Sequence, residues 1–174
     1  MRNISAKYIG VNTGIIMIAS ALIMFYILKL PETGTAQYII WGIYITGIIL
    51  SLILFKINSP NEHSFKTFFT QGFKTFIVAA LLIVVYIYFF YKNNPQILEK
   101  AITENNALIL KEGNRTAPEI DANAEKFRGI FIPGMLMMNT IIYLVLGSLV
   151  SMIAGGLLSQ NNMQDNKNKR NSPV

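Results

Sequence analysis

The stretch Leu146–Leu158, LGSLVSMIAGGLL, carries no charge and sets Gly, Ser and Ala among Leu, Val, Ile and Met. A helix in water buries larger side chains along one stripe and keeps charge on the opposite face. This segment offers neither. Between apolar helices in lipid, hydrophobicity gives no net drive to associate. Dispersion takes over at close backbone approach, and small residues permit that approach. The stretch therefore reads as part of a membrane-spanning helix. Gly147, Ser151 and Gly155 recur every four residues and share one face, with Ser148 and Gly156 beside it. Gly10 with Gly14, and Gly47 with Ser51, repeat the spacing elsewhere. Such faces suit packing inside a bundle, or a homodimer seam in the last span.

Working outward, the rest of the chain agrees. Only 14% of residues are charged and 52% are apolar, against roughly 25% charged in soluble domains. A helix crosses the hydrocarbon with about 20 residues. Uncharged runs of that order lie at Ile9–Leu28, Tyr38–Phe55, Thr75–Tyr91 and Ile130–Leu158. Spans are expected at about 9–28, 38–55, 73–91 and 130–158, in one membrane domain over 1–174, with a polar tail over 160–174 whose end, NKNKRNSPV (Asn166–Val174), is expected to be disordered. Arg2 and Lys7 before the first run could open a signal peptide. The apolar part exceeds the usual 7–15 residues and no small-x-small site follows, so it is read as a retained span. LPETG (Leu30–Gly34) matches the pattern cut by sortases, but lies between spans and reads as a turn closing the first helix. Pro60 stops the second helix, and NNP (Asn93–Pro95) ends or kinks the third. Tyr26, Tyr38, Trp41, Tyr88 and Tyr91 fall near the outer span ends, as headgroup-level aromatics do.

Four crossings put the N-terminus, the second connection and the C-terminus on one side. The whole formal charge of +6 falls there, because Arg2, Lys7, Lys56, Lys66, Lys74, Lys167, Lys169 and Arg170 face only Glu62 and Asp165. Basic residues concentrate on the cytoplasmic side, so both termini are expected in the cytoplasm. The excess reads as a topology signal with some attraction to anionic lipid. Nucleic acid is not an expected partner, since no basic face with interleaved aromatics occurs.

The connection 92–128 is charge-balanced and amphipathic. Ile97, Leu98, Ala101, Ile102, Leu108 and Ile109 approximate a helical stripe, and Gly113 supplies a stop. Thr116 with Glu119, and Pro118 in the first turn, form a capping box. A second short helix should follow and run into the last span. The expected architecture is an all-α integral membrane four-helix bundle, with an extramembrane amphipathic helical hairpin between spans three and four. Besides the lipid bilayer, the expected partners are a second copy or another membrane protein, through the small-residue faces or the 95–128 segment. Asn114–Thr116 (NRT) also fits a glycosylation sequon.

Motifs for chemistry are sparse. The chain has no cysteine and one histidine, His63, beside Glu62 and without a second imidazole to complete a metal site. Neither Ser59 nor Ser64 has a supporting nucleophile motif, and no phosphate-cradling glycine pattern occurs. No cofactor or metal is expected. Lys74 in QGFKTF can snorkel to the headgroups. Within the spans, Asn12, Thr46, Asn139 and Thr140 are read as polar glue between helices. Coupled transport usually needs an ionisable group inside the membrane. The reading is a non-enzymatic assembly or partner-binding subunit. The alternatives are a small channel or carrier and, behind it, a lipid-acting enzyme at Glu62 and His63.

Three segments carry a resemblance: SFKTFFTQGFKTFIVAALL (Ser64–Leu82), YIYFFYKNNPQILEKA (Tyr86–Ala101) and FIPGMLMM with LGSLVSMIAGGLLS, up to Ser159. With the Pro-Gly start of the last span, the chain resembles the domain of unknown function 4199, found in membrane proteins of Bacteroidetes-type bacteria. The likeness covers nearly the whole chain. It implies a four-span bacterial membrane protein, with no activity or catalytic residues to carry over, and the connection here is less acidic than the family suggests.

Overall fold

The computed structural model describes residues 5–30, 34–60, 64–113 and 116–170, with residues 35, 112 and 160–170 as backbone. Arg2, part of the LPETG turn, Glu62, His63, Asn114 and Arg115 lie outside the described residues. The described residues form five helices: α1 (Ala6–Leu22), α2 (Thr35–Asn58), α3 (Phe65–Asn93), α4 (Pro95–Glu112) and α5 (Ala117–Arg170). A π-helical turn, Ile23–Ile27, extends α1.

Each boundary has a local cause. The α1 extension closes with Leu30 N–H donating to the Met24 carbonyl at 3.0 Å, around Lys29 at φ 54°. This is the left-handed stop that glycine usually supplies, so the helix turns at Lys29, ahead of the Pro and Gly expected to end it. Gly34, at φ 74°, opens α2. Asn94 breaks the helix at φ −126°, ψ 62°, and Pro95 takes the first position of α4, where its missing N–H costs nothing. Gly113 ends α4 in the left-handed region, φ 68°.

The last helix differs from expectation. The second arm of the anticipated hairpin is no separate short helix, because α5 runs unbroken for 54 residues with Pro133 inside it. Its start is capped as the Thr116–Glu119 pair implies, the Thr116 N–H donating to Glu119 Oε2 at 2.7 Å. Pro133 removes one N–H and crowds one carbonyl. That carbonyl belongs to Gly129, and neither Gly129 nor Gly134 has a neighbour where a Cβ would stand. The polar stretch after Ser159 continues as helical backbone to Arg170, into the first part of the Asn166–Val174 segment expected to be disordered, with no Pro before Pro173.

Four helices are long and apolar enough to cross a membrane: Ala6–Ile27, Ala36–Asn58, Phe65–Asn93 and Ala117–Ser159. In their most apolar windows only 22–33% of residues are buried. Large apolar side chains such as Ile27 (71% exposed) and Ile153 (64%) point outward. Apolar surface on this scale is rare on water-soluble monomers.

The chain forms two compact units, residues 1–83 with 142–174, and residues 84–141. In the first, Met17, Tyr44, Ile48, Leu52, Phe68, Phe76 and Ala79 are fully or almost fully buried. In the second, Ile102 and Ile109 of α4 and Ile120 and Ala124 of α5 are buried. The Tyr91 and Phe131 rings meet edge-on, centroids 5.3 Å apart. Leu108 departs from the expected stripe: it is 62% exposed, and Leu110 63%. The helical period carries the buried line from Ile102 to Ile109 and leaves Leu108 outside it.

Within this second unit Arg128 holds Glu99 through two hydrogen bonds, Nε to Oε1 at 3.1 Å and a terminal nitrogen to Oε2 at 2.9 Å. It also reaches Glu125 at 2.6 Å. Hydrogen bonding from Arg128 holds the Glu99 carboxyl below its ordinary range, against desolvation, with the positive charge of Arg128 adding to the lowering. A lowered carboxylate pKa means that the pair stabilises above the ordinary range and is lost as pH falls through the lowered value. Arg128→Gln is expected to return Glu99 to the ordinary range, read by NMR titration of its side-chain carboxyl carbon. An unchanged midpoint would show that Arg128 does not control it.

Candidate helix packing interface

The small residues singled out by spacing all lie in the first unit. Gly10 of α1 sits over α3, where an added Cβ would stand 2.6 Å from the Thr75 carbonyl oxygen and 3.0 Å from Val78 Cβ. One turn on, a Cβ at Gly14 would meet Leu82 Cδ1 at 2.7 Å. Gly47 of α2 lies against the Thr13 side chain of α1. Gly147 of α5 faces α3 and α2, with Phe76 Cγ and the Tyr44 hydroxyl each 2.6 Å from the position a Cβ would take. Gly155 is looser: its nearest neighbours, Phe68 Cβ and the Phe69 nitrogen, would be 3.4 and 3.5 Å away. The α5 stripe is thus covered by helices of the same chain.

Several participants had no signal in the spacing. Gly72 of α3 would place a Cβ 2.5 Å from Ser151 Oγ, so a glycine on one helix receives a serine from another. Gly72 and Ser151 lie on different helices, and sequence spacing cannot pair them. Thr13, Tyr44 and Phe76 are likewise partners supplied by the fold.

Polar side chains bind the same helices together. Ser51 Oγ of α2 and Thr75 Oγ1 of α3 are 2.6 Å apart, and both are fully buried. Gln71 Nε2 donates to Ser51 Oγ at 3.4 Å. Thr75 Oγ1 lies 3.1 Å from the Gln71 carbonyl and 3.3 Å from that of Ala6. One proton order satisfies the group: Gln71 donates to Ser51, Ser51 to Thr75, and Thr75 to a carbonyl. Buried hydroxyls need such partners, because an unpaired one costs more than the bond itself contributes. Tyr44 donates to the Tyr143 carbonyl of α5 at 2.9 Å, its ring meeting that of Tyr143 edge-on at 5.1 Å. Ser151 Oγ is fully buried and has no hydrogen-bond partner.

The polar residues expected to glue helices do not. Asn12 and Thr46 are exposed. Asn139 and Thr140 donate to carbonyls one turn back in their own helix, Met135 at 2.8 Å and Leu136 at 2.7 Å. Helical periodicity turns the first two outward, and a short polar side chain beside its own preceding turn finds an acceptor there first. Lys74 is exposed at the end of the polar seam. Among the described residues no group of three His, Asp or Glu could hold a metal ion.

What this arrangement does chemically is hold helices together. The hydroxyls of Ser51, Thr75 and Tyr44 face carbonyls or one another, and among the described residues no carboxylate or imidazole is hydrogen-bonded to them. The fold and the seam define a multi-pass helical membrane protein whose interior is held by small-residue contacts and, at Ser51, Thr75 and Tyr44, by hydrogen-bonded hydroxyls. The family model of DUF4199, a protein of unknown function, matches residues 8–160, and the chain belongs to that family. No curated protein and no solved structure matches it.

Proposed function

We infer that the chain is a non-enzymatic subunit of a bacterial inner membrane, which assembles with a second copy or with another membrane protein. The observation that carries this reading is the contrast between a closed interior and an open exterior. The interior of the first unit is taken up by glycine contacts and by the hydrogen-bonded hydroxyls of Ser51, Thr75 and Tyr44, with no buried carboxylate, lysine, arginine or histidine among the described residues of the seam. A carrier of ions or protons would ordinarily place such a group there. Binding capacity then resides on the outside: the exposed Leu108 and Leu110 near the end of α4, and the charged Glu99–Arg128 pair nearer its start. Helix α5 has 54 residues, far more than the about 20 a bilayer needs. We assign α4 and the opening turns of α5, within 95–128, to the region outside the bilayer. The charge distribution supports both termini in the cytoplasm.

Two measurements test this. The chain has no cysteine, so single cysteines at Thr103 and Lys66 report topology against no background. An impermeant thiol reagent on intact cells with a permeable outer layer should label position 103, and position 66 only after lysis. The reverse pattern would invert the assignment. In mild detergent, light scattering should give a mass above one chain, or a membrane protein should co-purify and cross-link at Leu108 or Leu110. A lone monomer with no cross-linked companion would refute the assembly role.

A further inference from the structure

At one end of the first unit, the opening of α1, the last turn of α2 and the early turns of α3 enclose an open cavity of about 350 Å3. We propose that this cavity binds a phosphate-bearing anion, with Lys7 and Lys74 as its charged contacts. The proposal is independent of the assembly role above.

Three observations carry it. First, Lys7 of α1 and Lys74 of α3 both line the cavity, and among the described residues no carboxylate does. Neither lysine forms an ion pair among the described residues. Two like charges on the wall of one concave site favour an anion bound there. Second, Ser5 makes no side-chain cap at the start of α1, and no acid stands in its first turn. The opening N–H groups add partial positive charge to the same wall, which Ser5 and Ala6 line. Third, Ser59 and Gln71 supply polar wall and Phe55 an apolar one, which suits a phosphate with a short carbon stem. The volume lies within the range of small-molecule sites, roughly 300–1,000 Å3.

Phosphate of this kind comes as a lipid headgroup or as a soluble ester, and the test separates the two. The full chain, purified in neutral detergent, is presented with phosphatidylglycerol, phosphatidylcholine or inorganic phosphate. Lipid retention is read by native mass spectrometry and phosphate binding by calorimetry. Retention of phosphatidylglycerol over phosphatidylcholine identifies a lipid headgroup; phosphate binding without lipid retention identifies a soluble source. In either case K7Q/K74Q should weaken binding about thirtyfold, as two lost charges near a surface imply. K7R/K74R should retain binding. K56Q/K66Q removes the same charge outside the cavity and should bind as the unaltered chain does. If K7Q/K74Q fails to fold, the single variants serve, each with about fivefold loss. Equal loss in K7Q/K74Q and K56Q/K66Q, no loss in either, or no binding of any probe by the unaltered chain would overturn the proposal.

Discussion

Gly147→Ala is expected to lower the stability of the helix bundle by about 2 kcal/mol, measured as a shift in the fraction of SDS needed to unfold the protein from mild detergent. The new methyl would stand 2.6 Å from both Phe76 Cγ and the Tyr44 hydroxyl, well inside ordinary contact. Phe76 is 1% exposed and Tyr44 fully buried, so neither has space to move into. Overpacking of this kind costs about 1–3 kcal/mol. If Tyr44 shifts, its 2.9 Å bond to the Tyr143 carbonyl goes too, at about 1 kcal/mol. Alanine's better helix propensity returns about 1 kcal/mol and does not reverse the sign. Gly155→Ala, on the same face and two turns away, meets its neighbours at 3.4 Å or more and should be tolerated. Equal effects at the two positions would mean that the face is generic and that the Phe76–Tyr44 contact has no special place in it.

Gly10→Ala should destabilise by a similar amount for a different reason. Here the obstacle is backbone, the Thr75 carbonyl oxygen 2.6 Å from the added carbon. A carbonyl inside α3 cannot rotate away without breaking its helix, so α1 must move off. That movement also stretches the Thr75 hydroxyl contact to the Ala6 carbonyl, 3.3 Å long. Gly14→Ala should cost less, because Leu82 Cδ1 is the far end of a flexible side chain. Gly42 and Gly156 have nothing within 4 Å, and alanine there should be neutral or add up to about 1 kcal/mol. The ranking Gly10 above Gly14 above Gly42, read in one SDS series, checks the argument. Should Gly42→Ala prove as harmful as Gly10→Ala, helix contact would not be what these glycines serve.

The spans were legible because length and lack of charge are local properties. A run such as Tyr38–Phe55 states its own solvent whatever it packs against. Breaks were legible where one residue type forces the backbone, as at Asn94–Pro95 and Gly113. Lys29 was not, because a lysine at φ 54° carries no compositional mark. The small-residue spacing picked out Gly10, Gly14, Gly47, Ser51, Gly147 and Ser151, all buried in the structure, but could not name what each one touches. For the polar residues the same reasoning pointed to Asn12 and Thr46, which face outward, and passed over Gln71 and Thr75, which face inward.

The amino-acid order alone thus determined the solvent of each helix, their number as spans, and which residues are small enough for backbones to meet. Those properties follow from transfer energies and steric size, which each segment carries by itself. Only the tertiary structure decided that Gly147 receives Phe76 and Tyr44, that Gly72 receives Ser151, and that α5 passes through Pro133 without stopping. Such matters depend on which helix face turns toward which neighbour, and uncharged faces of similar hydrophobicity leave that choice to shape complementarity.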